Sequence, residues 1–443
     1  WSMAGPEFGD REGCKIEIQR ALYGLAGSSR AFADFLSDTI SRLGFRPSRA
    51  DPDLWIKKSE SGYDFIATHV DDLIVVSKNP QEYIANIEQE YALRNIESDP
   101  SYYLGTSLKR IEDGRVLMNT ETYIKESVRK YEAKYKPERQ KPTADGTDNY
   151  TIAKSDTPMD PKAHPELDDS PFLNIEKHKE FQHVIGLGQW MILTGRIDIA
   201  YSVSSLARFA SAPRQGHLEM ARRILGYLKK HPKKGILMDP RSPIFNKLDS
   251  TKYEEFTHQY RHFKEEMDPY FPEPTIKELE ITIFCDSDHA HDLVTGRSIT
   301  GILAFVGSTP VYWKSKRQTS VHTSTFGAEF TALKNATEVA ITLRYHLRSM
   351  GILVSIPSRI YCDNMSVCIN ASNPASSLNK KAVALAYHFV RQNQSGNVIQ
   401  IHHIRSEDNY ADILTKPLPS KQFHDLLYEF MTTGTIPTLP EST

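Results

Sequence analysis

The chain has 443 residues, of which 39% are hydrophobic and 25% charged, a composition typical of a globular protein with room for about three domains. The net charge of −2 argues against a uniformly basic nucleic-acid binder, so any surface that binds phosphates has to be local. No apolar run reaches roughly eighteen residues, which argues against a transmembrane helix. The four cysteines show no CxxC spacing and fit a reducing compartment.

The first quarter of the chain predicts one helix followed by a small antiparallel sheet. Apolar residues recur at helical spacing over 28–44, and a glycine closes that segment. Strand-like segments follow at 53–57, 63–70 and 73–77. The last two predict a hairpin with the adjacent carboxylates of Asp71 and Asp72 at its tip. Because like charges side by side repel each other, core-like flanks on both sides favour a cation site over an ordinary exposed turn.

The middle of the chain alternates between a second small sheet and helices. The pattern predicts a helix over 80–94, a hairpin within 102–119, a helix over 121–135, a linker over 136–170, and helices over 176–194, 198–210 and 215–230. Residues 239–275 are polar, aromatic and charged, and they form either an ordered insert or a mobile lid.

A cluster of basic residues lies in the second half of the last of these helices and just after it. It consists of Arg222, Arg223, Lys229, Lys230, Lys233 and Lys234. Cationic side chains displace counterions from phosphates, so this cluster is a candidate nucleic-acid surface. A solvated helix face explains it equally well.

Four acidic residues stand out in the α/β pattern that begins at residue 276. Asp286 and Asp363 each end a strand-like apolar run, Glu329 lies about one turn into a helix, and Asp412 lies in the first turns of a helix opened at 406–408. Acids in these settings meet at one edge of a sheet. Hard divalent cations prefer oxygen ligands, and two of them can clamp the attacking and leaving oxygens of a phosphodiester. The four acids therefore predict hydrolysis of nucleic acid.

The first half of the chain resembles the reverse transcriptases of copia-type LTR retrotransposons. The resemblance rests on the hairpin His69-Val-Asp-Asp72 and on these motifs, in chain order: Ala21-Leu-Tyr-Gly-Leu25, Ser29-Arg-Ala-Phe32, Leu43-Gly-Phe45, Ala50-Asp-Pro-Asp-Leu54, Tyr103-Leu-Gly105, Thr157-Pro-Met159, Ile185-Gly186, Asp198-Ile-Ala-Tyr201 and Leu225-Gly-Tyr-Leu-Lys229. It implies that Asp71 and Asp72 bind the polymerase metals and that the chain contacts a template-primer.

The final third resembles the ribonuclease H domain of the same family. The matching motifs are Cys285-Asp-Ser-Asp288, Arg297-Ser-Ile-Thr-Gly301, Trp313-Lys-Ser-Lys316, Ser324-Thr-Phe-Gly-Ala-Glu329, Tyr361-Cys-Asp-Asn364, Tyr387-His-Phe-Val-Arg391 and Ala411-Asp-Ile-Leu-Thr-Lys-Pro417. The resemblance implies that Asp286, Glu329, Asp363 and Asp412 bind Mg²⁺ or Mn²⁺ and cleave the RNA strand of an RNA–DNA hybrid. It also implies an intracellular location, in a cytoplasmic particle and the nucleus, with no membrane association.

The fold class expected is α+β and α/β multidomain: a partial reverse-transcriptase palm and thumb, a helical connection, and a ribonuclease H-like mixed sheet with flanking helices. The predicted segments are a truncated palm at 1–90, a thumb-like part at 91–150, a connection at 151–238, the insert at 239–275, a ribonuclease H-like domain at 276–420 and a tail at 421–443.

The chain departs from the family pattern at several positions. His69, Ala26-Gly-Ser28, Ala382 and Ala386 stand where the family has other residues, and the insert is longer than its usual connection. The resemblance implies that a third polymerase carboxylate comes from a strand preceding residue 1. Asp10, in the loop-like 9–13, is a poor substitute for it, so we expect no DNA polymerisation by this chain alone.

Other polar residues near the four acids have structural explanations. We expect Asp288 and Asp292 to be loop residues rather than ligands, and His402 and His403 to be strand residues with one facing solvent. Cys285 and Cys362 precede Asp286 and Asp363, so strand alternation turns them away from the acidic face.

Two alternatives to an active nuclease stay open. One is a catalytically dead relic, kept as a decaying element or as a domesticated nucleic-acid-binding scaffold. The other is an interaction protein in which residues 239–275 bind a partner.

Overall fold

The structure is a computed structural model that describes residues 2–17, 27–135, 151–241, 260, 262–373, 376 and 383–432. Several features of the sequence lie outside these residues: the motif at 21–25, most of the insert, part of the linker, Ala382 and the end of the tail. No helix in the described part of the chain is long and apolar enough to cross a membrane.

The chain forms two compact units. The first comprises Trp1–Ile96, Pro269–Lys277 and His346–Ile352; the second comprises Glu97–Asp268, Glu278–Tyr345 and Leu353–Thr443. Each unit has its own sheets.

The first unit contains a four-stranded antiparallel sheet and two helices. Its elements are strands β1 (Ser2–Met3), β2 (Lys15–Ile16), β3 (Arg46–Pro47), β4 (Leu54–Ser59), β5 (Gly62–His69) and β6 (Asp72–Val76), with helices α1 (Ser28–Arg42) and α2 (Pro80–Glu88). The sheet order is β3-β4-β5-β6, while β1 and β2 pair separately. The core joins Leu36 and Ile40 of α1 to Trp55 and Ile66 of the sheet and Tyr83 of α2.

The helix predicted over 80–94 is shorter in the structure. It ends at Glu88, and Tyr91 lies beyond it with its ring against those of Phe32 and Phe35, at centroid distances of 5.8 and 5.3 Å. This tertiary packing outweighs the helical pattern of the segment.

The second unit begins with a small sheet and a helical bundle. These contain β7 (Tyr102–Tyr103), β8 (Thr106–Arg110), β9 (Val116–Asn119), α3 (Glu121–Lys134), α4 (Ile175–Leu193), α5 (Ala200–Ala207), α6 (Gln215–Lys230) and β10 (Gly235–Met238). The antiparallel strand order is β10-β9-β8-β7. Asn174 caps α4 by accepting a hydrogen bond from the Lys177 amide, as expected for an N-terminal asparagine.

A five-stranded mixed sheet forms the rest of the second unit. Its elements are β11 (Ile281–Asp288), β12 (Ile299–Val306), β13 (Thr309–Arg317), α7 (Thr325–Ser349), β14 (Ser358–Cys362), α8 (Met365–Ser372), α9 (Ala384–Ser395), β15 (Ile399–His403) and α10 (Ser420–Tyr428). The order is β13-β12-β11-β14-β15; β11, β12 and β13 pair antiparallel, and β14 and β15 run parallel to β11. The predicted mixed sheet with flanking helices is confirmed.

One apolar core connects the bundle to this sheet. It contains Ile185 and Leu206 from the bundle, Phe284 from β11, and Phe423 and Leu427 from α10. Ordered structure therefore continues past residue 420, where the sequence pattern predicts a tail.

The helix predicted around Asp412 is a pair of short 3₁₀ helices, Ser406–Asp408 and Tyr410–Leu414. Asn409 separates them, with an extended backbone at φ −79° and ψ 106°. Its side chain accepts a hydrogen bond from the Ala411 amide and donates one, at 3.1 Å, to the Cys285 carbonyl. These bonds replace the helical turn and dock the segment on β11.

Candidate active site

The mixed sheet brings Asp286 and Asp363 next to each other. Cys285 of β11 and Cys362 of β14 are paired residues in parallel register, so the residue that follows each of them lies at the same edge. Asp412 comes from the 3₁₀ helix Tyr410–Leu414 and completes a group in which one carboxylate oxygen from each residue lies within 4.8 Å of the other two. Three segments distant in sequence therefore supply one cluster.

Glu329 joins this cluster through Asp363. It lies on the second turn of α7, and its carboxylate, the Cys362 thiol and the Asp363 carboxylate offer ligand atoms within 4.8 Å of one another. Asp286, Glu329 and Asp412 are 3%, 5% and 2% exposed, so three of the four acids are buried. The structure thus brings together all four acids singled out from the sequence.

Burial of several carboxylates together changes their protonation. Burial, together with the neighbouring Asp286 and Asp363 carboxylates, raises the pKa of Glu329 to about 11. Burial and then Asp286 raise the pKa of Asp412 to about 8, and the same two causes raise the pKa of Asp363. Without a cation, the cluster holds protons at neutral pH.

Two residues of the Asp412 segment were missed by the sequence reasoning. The Thr415 hydroxyl donates a hydrogen bond to the Asp286 carboxylate, and the Lys416 ammonium lies 3.0 Å from Asp412 Oδ2 and 4.0 Å from Asp286 Oδ2. Burial alone would lower the pKa of Lys416, but the Asp286 and Asp412 carboxylates outweigh it and hold that pKa above its usual range. Both residues belong to the motif at 411–417, which was the available signal.

The donor set fits a divalent cation. Glu329 Oε2 and Asp412 Oδ1 are buried oxygens without a hydrogen-bond partner, an arrangement that costs free energy unless something else neutralises them. Carboxylate oxygens are the ligands that Mg²⁺ prefers. Asp286, Glu329, Asp363 and Asp412 are therefore the residues that could hold such ions.

The two candidate histidines both pack against the sheet. His402 is buried, with its ring stacked on Tyr361 at 5.2 Å between centroids. His403 is partly exposed, and its Nε2 lies 3.1 Å from the Asp363 carbonyl oxygen.

Asp292 is a buried structural acid. Its Oδ2 lies 2.6 Å from Arg208 Nη1 and 2.7 Å from Arg317 Nη1. Although burial opposes ionisation, hydrogen bonds from Thr295 and Arg317 lower the pKa of Asp292 to about 2. This acid is consequently neutralised by arginines rather than available to a metal.

The paired acids of the first unit have a different setting. Asp71 and Asp72 are exposed at the turn between β5 and β6, and His69 pairs with Asp72 across the hairpin. Val70 has a φ of 56°, an uncommon conformation for a β-branched residue. Among the described residues, no third potential ligand forms a close group with Asp71 and Asp72. Asp10 is exposed in the 3₁₀ helix Pro6–Arg11, not in a loop.

Five of the six basic residues of the predicted nucleic-acid cluster make intramolecular contacts. Arg222 pairs with buried Glu180 at 2.7 Å, Lys229 with Glu132 at 2.6 Å, and Lys230 with Asp156. Two others are also engaged: Arg223 donates to Thr157, and Lys234, which is buried, lies 3.1 Å from His424 Nδ1. Lys233 is exposed. The contacts leave little of this cluster for a phosphate backbone.

A basic groove beside the acids is a better candidate nucleic-acid surface. It is lined by residues of β12, β13, α7 and α9, among them Thr300, Lys314, Lys316, Gln318 and Lys334. The Gln318 amide donates to Ser287 Oγ at 3.2 Å and to Thr300 Oγ1 at 2.9 Å, which connects this groove to the strand of Asp286. The two-residue spacing of Lys314 and Lys316, which puts both side chains on one face of a strand, was the sequence signal for this groove that the prediction missed.

Comparisons with known proteins agree with these observations. Residues 3–144 match the family described as "Reverse transcriptase (RNA-dependent DNA polymerase)". The chain is 26% identical over 419 residues to the Retrovirus-related Pol polyprotein from transposon RE1 of Arabidopsis thaliana, covering 94% of this chain and 25% of that protein. It is 21% identical over 424 residues to the corresponding polyprotein from transposon TNT 1-94 of Nicotiana tabacum, covering 95% of this chain and 28% of that protein. The chain thus spans about a quarter of the length of these relatives.

Two solved structures match the chain locally. LC11-RNase H1 in complex with an RNA/DNA hybrid aligns with a TM-score of 0.25 and 17% identity, over 31% of this chain and 94% of that one. The N-terminal RNase H domain of rv2228c from Mycobacterium tuberculosis aligns with a TM-score of 0.24 and 14% identity, over 34% of this chain and 98% of that one.

Proposed function

We propose that this chain, which belongs to the copia-type retrotransposon Pol polyprotein family, is a nuclease. The proposed reaction is divalent-metal-dependent hydrolysis of the RNA strand in RNA–DNA hybrids. The observation that carries the proposal is the convergence of Asp286, Asp363 and Asp412, whose oxygens lie within 4.8 Å of one another. Buried, partnerless oxygens of Glu329 and Asp412 support it, because a cation would satisfy both.

Each of the four acids has a proposed role as a metal ligand. Asp286, Glu329, Asp363 and Asp412 would together hold Mg²⁺ or Mn²⁺. Such ions, when bound, supply an activated water and stabilise the leaving 3′ oxygen. Thr415 holds the Asp286 carboxylate by a hydrogen bond, and Lys416 keeps that of Asp412 in place at 3.0 Å.

The groove is proposed to hold the hybrid beside these acids. Lys314 and Lys316 present positive charge on its walls, which suits a phosphate backbone, while Lys334 pairs with Glu338 at 2.5 Å. Thr300 and Gln318 are buried at the floor of the groove, where the hydrogen bond from the Gln318 amide to Thr300 Oγ1 holds β12 and β13 in place beneath the lysines. Recognition of this kind follows helix shape and 2′-hydroxyl groups rather than base sequence.

DNA polymerisation is the second candidate activity, favoured by the reverse transcriptase match over residues 3–144. The described residues place two acids, Asp71 and Asp72, at the hairpin tip without a third ligand beside them. We therefore propose nuclease activity, and not polymerisation, as the activity of the chain itself.

The test is cleavage of a labelled RNA–DNA hybrid in the presence of Mg²⁺. We expect cleavage by the unmodified protein and none by Asp363→Asn, with Asp71→Asn as a matched control that retains activity. If folded protein binds the hybrid but neither it nor the variants cleave, the nuclease proposal is wrong and the scaffold or relic alternative stands.

A further inference from the structure

A buried chain of hydrogen bonds runs from helix α5 to the end of strand β11. The Tyr201 hydroxyl lies 2.6 Å from His291 Nε2, and His291 Nδ1 lies 2.6 Å from Asp288 Oδ2. Tyr201 and His291 are 3% and 8% exposed, and their rings meet edge to face at 5.7 Å. Tyr201 and Asp288 both belong to sequence motifs described above, and the proposed nuclease chemistry uses neither residue.

The hydrogen bonds along this chain fix the direction of the Asp288 carboxylate. A carboxylate only accepts hydrogen bonds, so the His291 ring carries a hydrogen on Nδ1 and donates it to Asp288 Oδ2. The Tyr201 hydroxyl forms a hydrogen bond with the other ring nitrogen, Nε2, at 2.6 Å. The imidazole is therefore held at both of its nitrogens.

Asp288 lies at the edge of the acid cluster. The prediction that Asp288 is a loop residue is wrong. It is the last residue of β11, two residues beyond Asp286, so both side chains leave the same face of the strand. Its carboxylate adds to those of Asp286 and Asp412 in its electrostatic effect on Lys416. Since its side chain is 29% exposed, part of it is open to solvent.

The position of Tyr201 is set independently of Asp288. Helix α5 is tied to the sheet by Ser204, whose hydroxyl donates to the Ser315 carbonyl at 2.8 Å, and Arg208, next to its last residue, pairs with Asp292 at 2.6 Å. These contacts hold Tyr201 against the loop that carries His291. The bundle can therefore orient a side chain beside the acids without contacting a substrate.

We propose that Tyr201 and His291 are positioning residues of the nuclease centre, which hold the Asp288 carboxylate beside the acid cluster and so strengthen the binding of divalent cations. The inference rests on the proposed function, because it assigns cations to that cluster. A fixed negative charge near the ligands favours cation binding more than one that rotates away.

The expected effect is on metal affinity more than on hybrid affinity. Loss of an outer partner of a metal site typically weakens metal binding by about 10- to 100-fold. Tyr201 acts one step further away, through His291, so Tyr201→Phe should weaken Mn²⁺ binding by roughly threefold to tenfold. The KM for the hybrid should stay within about twofold of its original value, because neither residue lines the groove.

The chain offers a matched control in the same bundle. The buried Tyr227 hydroxyl donates to Asp198 Oδ2 at 2.6 Å and has no part in the route to Asp288. Tyr227→Phe therefore removes an equivalent buried hydrogen bond. Calorimetric titration of the full chain with Mn²⁺ should show weaker binding in Tyr201→Phe and unchanged binding in Tyr227→Phe.

A second variant covers the case in which Tyr201→Phe does not fold. His291→Asn should weaken Mn²⁺ binding at least as much, since asparagine is too short to bridge Tyr201 and Asp288. Equal losses in Tyr201→Phe and Tyr227→Phe, or unchanged affinity in Tyr201→Phe and His291→Asn, would overturn the positioning role.

Hybrid cleavage by the same samples separates the two proposals. A parent protein that binds Mn²⁺ in a Tyr201-dependent manner yet cleaves no hybrid contradicts the nuclease function and supports the positioning role. A parent that cleaves, with variants of unaltered metal affinity, contradicts the positioning role alone.

Discussion

Two groups of acids in this chain have the same chemistry and opposite surroundings. Asp71 and Asp72 are neighbours in sequence, exposed, and located at the turn of one hairpin. The four acids of the candidate site, Asp286, Glu329, Asp363 and Asp412, come from separate elements, and three of them are buried. Two acids that are adjacent in sequence therefore need not repel each other strongly. Acids that come together in a buried place do, and they either hold protons or need a cation.

Neutralising one buried acid should have the largest effect. Asp286→Asn removes a charged residue that would hold a divalent cation in the proposed nuclease. Metal assistance is worth several kcal/mol, so hybrid cleavage should fall by about 10³-fold or more. The initial rate of cleavage of labelled RNA in a hybrid measures it.

The exposed pair supplies the control for this experiment. Asp72→Asn should leave the cleavage rate within about twofold, because surface substitutions rarely change stability by more than 0.5 kcal/mol. An equal loss in both variants would contradict the contrast between the two groups.

The effect of pH on the stability of the metal-free protein should be the second largest. The pKa of Asp412 is raised to about 8 by burial and by Asp286, whereas an unfolded chain releases this proton near pH 4. Between these values the native state binds the extra proton, so metal-free stability is full below about pH 4 and decreases as pH rises toward about 8. We expect a loss of about 1 kcal/mol per pH unit in EDTA, measured by urea unfolding.

Asp412→Asn should reduce the slope of this pH profile without abolishing it, because the raised pKa of Glu329 acts in the same direction, and Asp72→Asn should leave the profile unchanged. A profile that keeps its slope in Asp412→Asn would assign the proton to another group. Added Mg²⁺ should flatten the profile of the unmodified protein, because the cation replaces the proton.

Removing one carboxylate from the acid cluster should have a smaller effect on stability, because it relieves the repulsion between like charges. In metal-free protein near pH 8, Asp363→Asn should raise the free energy of unfolding by about 1 kcal/mol, since it removes one of several like charges. Asp71→Asn should change it by less than about 0.5 kcal/mol. Thermal unfolding in EDTA compares the two variants; a destabilised Asp363→Asn would show that repulsion is absent from the cluster.

The smallest effect concerns the cations that face the hybrid. Lys316→Ala should weaken hybrid binding by about threefold and reduce the slope of log affinity against log salt by about one. Lys233→Ala, an exposed lysine of the sequence-predicted cluster, should change neither quantity. Fluorescence anisotropy at several salt concentrations distinguishes them, and a larger effect at Lys233 would restore the original cluster as the binding surface.

The sequence predicts most of the fold and all four convergent acids, because strand ends and helix starts have strong local signals. β11, α7 and β14 appear where apolar runs and the Ser324-Thr325 helix start predict them, so Asp286, Glu329 and Asp363 are placed correctly. The interruption at Asn409 is not predictable, since it depends on a hydrogen bond to Cys285, 124 residues away.

The basic cluster shows why surface function is harder to predict than fold. Arg222 and Lys229 look like a solvated, phosphate-binding face in sequence, but their partners Glu180 and Glu132 are 42 and 97 residues away. In sequence, Lys314 and Lys316 are only two charged residues on a strand. They become a candidate nucleic-acid surface because β13 forms a groove with α7 and α9. Charge is visible in sequence, whereas partners and concavity are properties of the folded chain.

The lack of a side chain at Gly301 has a consequence for how related sequences are interpreted. A Cβ atom at this position would lie 2.7 Å from the Ala411 carbonyl oxygen, so the segment carrying Asp412 rests directly on the bare backbone of β12. Any larger side chain would push that segment, and its acid, away from Asp286. Related sequences that keep all four acids but have lost this glycine should therefore have a disrupted acid cluster, and counting acids alone would overestimate how many keep it intact.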